Sequence, residues 1–163
     1  MESRADGRDT RWAEHRLQRR TELVESTLRA IRRQGATVSL DEIAAEAGTS
    51  KPVIYRHFGD RPGLYRAVVE KTAQFILDDL HALVDRERPD DLSALVRDLA
   101  NGYLQLVQRD PEIYRFVMSR PLVDGDLGDD PVTGLTMRIG EQIADLLRAG
   151  GYDAARADTW GHA

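Results

Sequence analysis

Between Ser39 and Arg61 the chain reads SLDEIAAEAGTSKPVIYRHFGDR, and its chemically active groups are donors: the Lys51 ammonium, the Tyr55 hydroxyl, the His57 imidazole and the Arg61 guanidinium. No second group is spaced to make a nucleophile with its base or a pair of metal ligands. Donors gathered on one surface suit an acceptor-rich partner such as a nucleic-acid groove. An ammonium at Lys51 can donate to guanine O6 or N7, while Pro52 and Val53 beside it offer apolar surface to a thymine methyl.

Two short helical patterns position these groups. Ser39 with Glu42 three residues on predicts a capping box, and Leu40, Ile43, Ala44 and Ala47 follow at helical spacing with Asp41, Glu42 and Glu46 turned to water. Gly48 stands where the chain must turn left-handed to leave that helix. Ser50 is then placed to cap the next helix, with Pro52 in its first turn. In the second helix Ile54 and Phe58, four apart, face a core, which leaves Lys51, Pro52, Val53, Tyr55 and His57 outside. Two helices across a glycine turn, the second with this outer face, make a helix-turn-helix.

The segment resembles the DNA-binding domain of the TetR family of bacterial transcriptional regulators, on Ser39, Ile43, Ala44, Ala47, Gly48, Ser50, Tyr55, Phe58 and Leu64. It departs at Thr49, where an apolar turn residue is usual, and at Arg61, where lysine is usual; arginine keeps the charge. The resemblance implies an all-α fold in which a three-helix DNA-binding domain is joined by a long helix to a helical domain for effector binding and dimerisation. It implies a dimer on a palindromic operator, a small-molecule effector, usually repression, and phosphate contacts from Tyr55 and His57. With Ser39, Thr49, Ser50, Lys51, Pro52, Val53 and Arg61, these form the expected DNA-binding set.

Composition agrees. The 163 residues are 41% apolar, enough to bury a core, and without cysteine there is neither a disulfide nor a thiolate metal site. No apolar run reaches the length of a membrane helix, and the charged N-terminus MESRADGRDT lacks the apolar segment of a signal peptide, so a cytoplasmic protein with no membrane partner is expected. The net charge of −5 is unevenly spread: residues 1–57 carry eleven Lys and Arg against nine Asp and Glu, residues 58–163 twelve against nineteen. The basic part contains the helix-turn-helix.

Residues 1–10 are expected to be a flexible tail, 11–61 the DNA-binding domain and 62–163 the effector and dimerisation domain. A first helix over 11–34 places Ala13, Leu17, Val24, Leu28 and Ile31 on an inner stripe and Arg11, Arg16, Arg19, Arg20, Arg29, Arg32 and Arg33 outside. Further helices are expected from Asp60 and Pro62 to about Arg86, over 91–109, from Pro111 to about Arg120 and from Val132 to Ala149, with an acidic loop at 121–131. An eighth begins at 153 and stops at the chain end, so a truncated C-terminus is expected. Phe75, His81, Asn101, Tyr103, Tyr114, Phe116, Met118 and Met137 mix aromatic and polar character at internal-looking positions. They are the expected ligand-binding set for an apolar or amphipathic effector.

His15, His57, His81 and His162 fit no metal or catalytic spacing, and no phosphate-binding glycine loop is present, so neither enzyme nor cofactor is expected. The alternative is a helical protein-interaction module whose helix-turn-helix is structural only.

Overall fold

The computed structural model describes residues 3–86, 92–119 and 130–149, without the side chains of residues 3–10, His81 and scattered positions in the later helices. These residues form seven helices and no strand: α1 (Ser3–Gln34), α2 (Leu40–Glu46), α3 (Lys51–Phe58), α4 (Arg61–Arg86), α5 (Leu92–Arg109), α6 (Pro111–Ser119) and α7 (Pro131–Ala149). Residues 121–129 of the expected 121–131 loop, the eighth helix and the end of the chain lie outside the described residues, as does the side chain of His81, while Pro131 already opens α7.

Helix α1 begins at Ser3, eight residues before the expected start at residue 11. Gly7 is the only strong helix-breaking type in that stretch, and a formed helix propagates at far less cost than it nucleates. A correction concerns its inner stripe. Leu23, Leu28 and Ile31 are buried, but Ala13 and Leu17 are exposed, Leu17 at 65%. They continue the same side of the helix, yet no described element lies beneath them.

The core joins the helices through shape. Leu23, Leu28 and Ile31 of α1 meet Ile43 of α2, Ile54 of α3 and Leu64 and Val68 of α4 in one buried cluster that continues to Ile113, Phe116 and Val117 of α6. Burial of each such side chain stabilises the fold by about 1.5–3 kcal/mol before entropy is counted. Polar bonds then set the register. The buried Tyr65 hydroxyl donates to the Val117 carbonyl at 2.6 Å, with the Tyr65 and Phe116 rings 5.8 Å apart. Arg32 near the end of α1 donates twice to Asp110, and the Ala36 amide donates to Glu112 Oε2 at 3.0 Å. These bonds pin the start of α6 to the end of α1.

Candidate nucleic-acid interface

The α2–α3 turn is fixed by backbone chemistry. Ser39 and Glu42 complete the expected capping box, the Ser39 amide donating to Glu42 Oε2 at 2.7 Å and the Glu42 amide to Ser39 Oγ at 3.3 Å. At the far end Gly48 takes φ +58°, and the amides of Gly48 and Thr49 donate to the carbonyls of Ala45 and Ala44. That pattern is a Schellman motif, and it satisfies carbonyls the helix end leaves open. Ser50 occupies the N-cap of α3, but its side chain makes no capping bond; Pro52 in the first turn has no N–H to satisfy.

Helix α3 is held by its inner side. Ile54 and Phe58 are buried, and Gly59 ends the helix at φ +82°. Arg20 of α1 donates to the carbonyl of His57 and lies over the Phe58 ring, 4.4 Å from its centre. A cation there satisfies a terminal carbonyl and complements the helix dipole. Helix α4 starts so close that a Cβ on Gly63 would stand 2.0 Å from the Phe58 carbonyl oxygen, while the Gly63 amide donates to Asp60 Oδ1 at 2.6 Å.

The outer side stays uncovered. Pro52, Tyr55 and Arg56 are exposed, and Lys51, Val53 and His57 are half-buried, as are Ser39, Thr49 and Arg61 around them; Ser50 is exposed. Lys51 is nevertheless engaged, its Nζ 2.8 Å from Asp41 Oδ2 of α2. At the other end of α3 burial and then the charges of Arg56, Arg19, Arg20 and Arg16 hold the His57 imidazole below its ordinary pKa. Cations from α1 and α3 therefore converge beside His57. Arg56 was absent from the outward set that periodicity suggested; its place between Tyr55 and His57 was the available signal.

The remaining arginines of α1 do other work. Arg29 and Arg33 flank Glu46, at 3.4 and 2.9 Å, so Glu46 is largely enclosed where a solvated carboxylate was expected. Arg32 is committed to Asp110.

A family profile described as bacterial regulatory proteins, tetR family, matches residues 23–68, which span the inner part of α1, all of α2 and α3 and the start of α4. The chain belongs to the TetR family.

Among curated relatives, an HTH-type transcriptional regulator of Mycobacterium tuberculosis is 42% identical over 117 residues, 71% of this chain and 49% of that protein. The HTH-type transcriptional activator FasR of Mycolicibacterium smegmatis is 29% identical over 119 residues, 72% of this chain and 53% of FasR. A solved TetR transcriptional regulator from Streptomyces coelicolor aligns at a TM-score of 0.47 and 20% identity, over 81% of this chain and 73% of that one. The chain spans about half the length of the curated relatives it matches.

In the second half of this TetR-family chain, a cavity of about 420 Å³ opens among α4, α5, α6 and α7. Phe75, Tyr103, Tyr114 and Met118 from the expected ligand set line it, beside Ile76, Ile113, Val117, Leu135 and Ile139. Three other members of that set lie elsewhere. Phe116 is buried against Tyr65 outside the cavity lining, and Asn101 and Met137 are exposed and do not line it. A helical stripe shows which residues share a side, not which neighbour stops short of filling the space. Polar groups at the cavity include the Tyr103 and Tyr114 hydroxyls, 3.2 Å apart, and the Arg109–Asp79 ion pair at 3.2 Å. Among the described residues no helix is long and apolar enough to cross a membrane, and no group of His, Asp and Glu is arranged to hold a metal ion.

Proposed function

We propose that the protein is a DNA-binding transcriptional regulator in which α3 lies in the major groove and α2 braces it across the backbone. The observation that carries this reading is the division of α3 between a side fixed to the core by Ile54 and Phe58 and an outer side on which Pro52, Tyr55 and Arg56 are exposed and Lys51, Val53 and His57 are half-buried. Lys51 reads a base edge after exchanging Asp41 for guanine, and Pro52 and Val53 pack on a thymine methyl. Tyr55, His57 and Arg56 contact phosphates, with Ser39, Thr49, Ser50 and Arg61 at the flanks.

The protein acts as a dimer on a palindromic operator, and a small molecule in the α4–α7 cavity shifts the separation of the two reading heads. The apolar walls, with two hydroxyls among them, suit an apolar or amphipathic effector. Such a ligand acts only through a difference in affinity between the two separations. Repression follows where the operator overlaps a promoter.

Selection of duplexes from a randomised pool tests the central claim. The protein should enrich an inverted repeat, with log affinity falling against log salt at a slope near −7 if about eight phosphates are neutralised. Lys51→Ala should weaken binding with the helical circular dichroism intact. A pool that returns no preferred sequence would sink the reading and favour a protein-docking module.

A further inference from the structure

We propose that the stretch of α1 from Trp12 to Arg20 is a second DNA-contacting element, laid along the sugar–phosphate backbone just outside the groove that α3 occupies. The inference rests on the DNA-binding reading above and adds a surface to it.

The placement comes from Arg20. Its bond to the His57 carbonyl and its position over Phe58 set this point of α1 directly beside the C-terminal end of α3. From there α1 continues outward by about 12 Å to Trp12, at 1.5 Å per residue. Residues 12, 16, 19 and 20 recur at the three- and four-residue spacing of one helical side, so Trp12, Arg16 and Arg19 extend the side that Arg20 presents to α3.

That side is unusual in two respects. Trp12 is 70% exposed, on a part of the helix with no described element beneath it. It is also strongly cationic, carrying Arg16, Arg19 and Arg20. Arg19 shares its charge with Glu22 at 2.9 Å, but Arg16 and, across on α3, Arg56 have no carboxylate partner among the described residues. A folded chain gains nothing by leaving guanidiniums unpaired around an exposed indole, and an array of phosphates supplies the missing charge. Arginine pairs with phosphate oxygens in a planar fork, and an indole N–H donates to an acceptor while its ring lies against deoxyribose. At about 3.4 Å per base pair, 12 Å of helix reaches on the order of three base pairs beyond the half-site.

The test compares a selected operator duplex with the same duplex trimmed by four base pairs at each flank. For Arg16→Ala/Arg19→Ala, affinity for the long duplex should fall about ten-fold and the salt slope should shrink by about 2 per bound chain, with sequence preference unchanged. On the trimmed duplex wild type and variant should converge. Arg16→Lys/Arg19→Lys should restore most of the slope, and Arg33→Ala, at the far end of α1, should leave affinity unchanged. In a Trp160→Phe background, Trp12 emission should change on saturation with the long duplex and not with the trimmed one. If both alanine changes leave affinity and slope on the long duplex untouched while Lys51→Ala still weakens binding, the second element is refuted and the α3 reading stands. Trp12 emission that follows protein concentration instead of duplex would assign this side to a second copy of the chain, and also refutes it. Failure of the wild-type protein to select any duplex removes both proposals together.

Discussion

Lys51 Nζ sits 2.8 Å from Asp41 Oδ2, so the cation best placed to read a base is held by a carboxylate from the neighbouring helix. Both side chains are substantially exposed, and a pair of that kind is worth only about 0–1 kcal/mol. It is weak enough to exchange for a guanine edge, but it taxes binding. Asp41→Asn should therefore tighten operator binding by about two- to five-fold at fixed salt, read by fluorescence anisotropy. An unchanged dissociation constant would show that Lys51 does not leave Asp41 on binding.

Gly63 and Gly134 give opposite outcomes for the same substitution. A Cβ at Gly63 would collide with the Phe58 carbonyl at 2.0 Å and press Asp60 Oδ1 at 3.0 Å, whereas one at Gly134 meets nothing within 4 Å. Gly63→Ala should cost about 2–4 kcal/mol, and Gly134→Ala, in a helix with room for the methyl, should add about 0.5–1 kcal/mol. Thermal unfolding followed by circular dichroism checks both signs.

His57 makes DNA binding sensitive to pH. In the free protein burial and the surrounding Arg56, Arg19, Arg20 and Arg16 depress its pKa, so protonation is disfavoured in the fold and acidification through that range weakens folding. Phosphates beside those arginines cancel their repulsion and raise the imidazole pKa in the complex. Binding then takes up a proton, and affinity should rise as pH falls from about 7.5 to 5.5, by several-fold. His57→Gln should flatten the profile. A wild-type profile already flat over that range would remove His57 from the interface.

The Arg32–Asp110 pair contributes stability with a defined pH window. The hydrogen bonds from Arg32 hold the Asp110 carboxyl below its usual pKa, against the opposing effect of burial. Because the folded pKa is depressed, the contribution is complete above the ordinary carboxylate range and is lost as pH falls through the lower folded value. Asp110→Asn should cost about 1 kcal/mol between pH 5 and 8, measured by urea unfolding, and the gap from wild type should close below about pH 4. A gap that persists undiminished into strong acid would assign the loss to packing.

The helix-turn-helix was legible because its determinants are local. The capping box of Ser39 and Glu42, the left-handed turn at Gly48 and the four-residue spacing of Ile54 and Phe58 each depend on neighbours within a few positions. The cavity was only partly legible. Phe75, Tyr103, Tyr114 and Met118 line it and Phe116 does not, because periodicity assigns a residue to a side of its helix and is silent on what the opposite helix brings there.

The residue types and their intervals were enough to determine an all-helical chain with a donor-bearing α3, and the resemblance of its helix-turn-helix pointed to the TetR family. Only the three-dimensional arrangement decided where α1 ceases to be covered, so that Leu28 is core and Leu17, on the same side of the same helix, is surface. It alone also decided that Lys51 rests on Asp41, that Arg32 reaches Asp110 across 78 positions of sequence, and that Arg16, Arg19, Arg20 and Arg56 crowd one histidine. Local pattern fixes what each turn of helix is; the distance between charges, and with it their partners, exists only after the helices have packed.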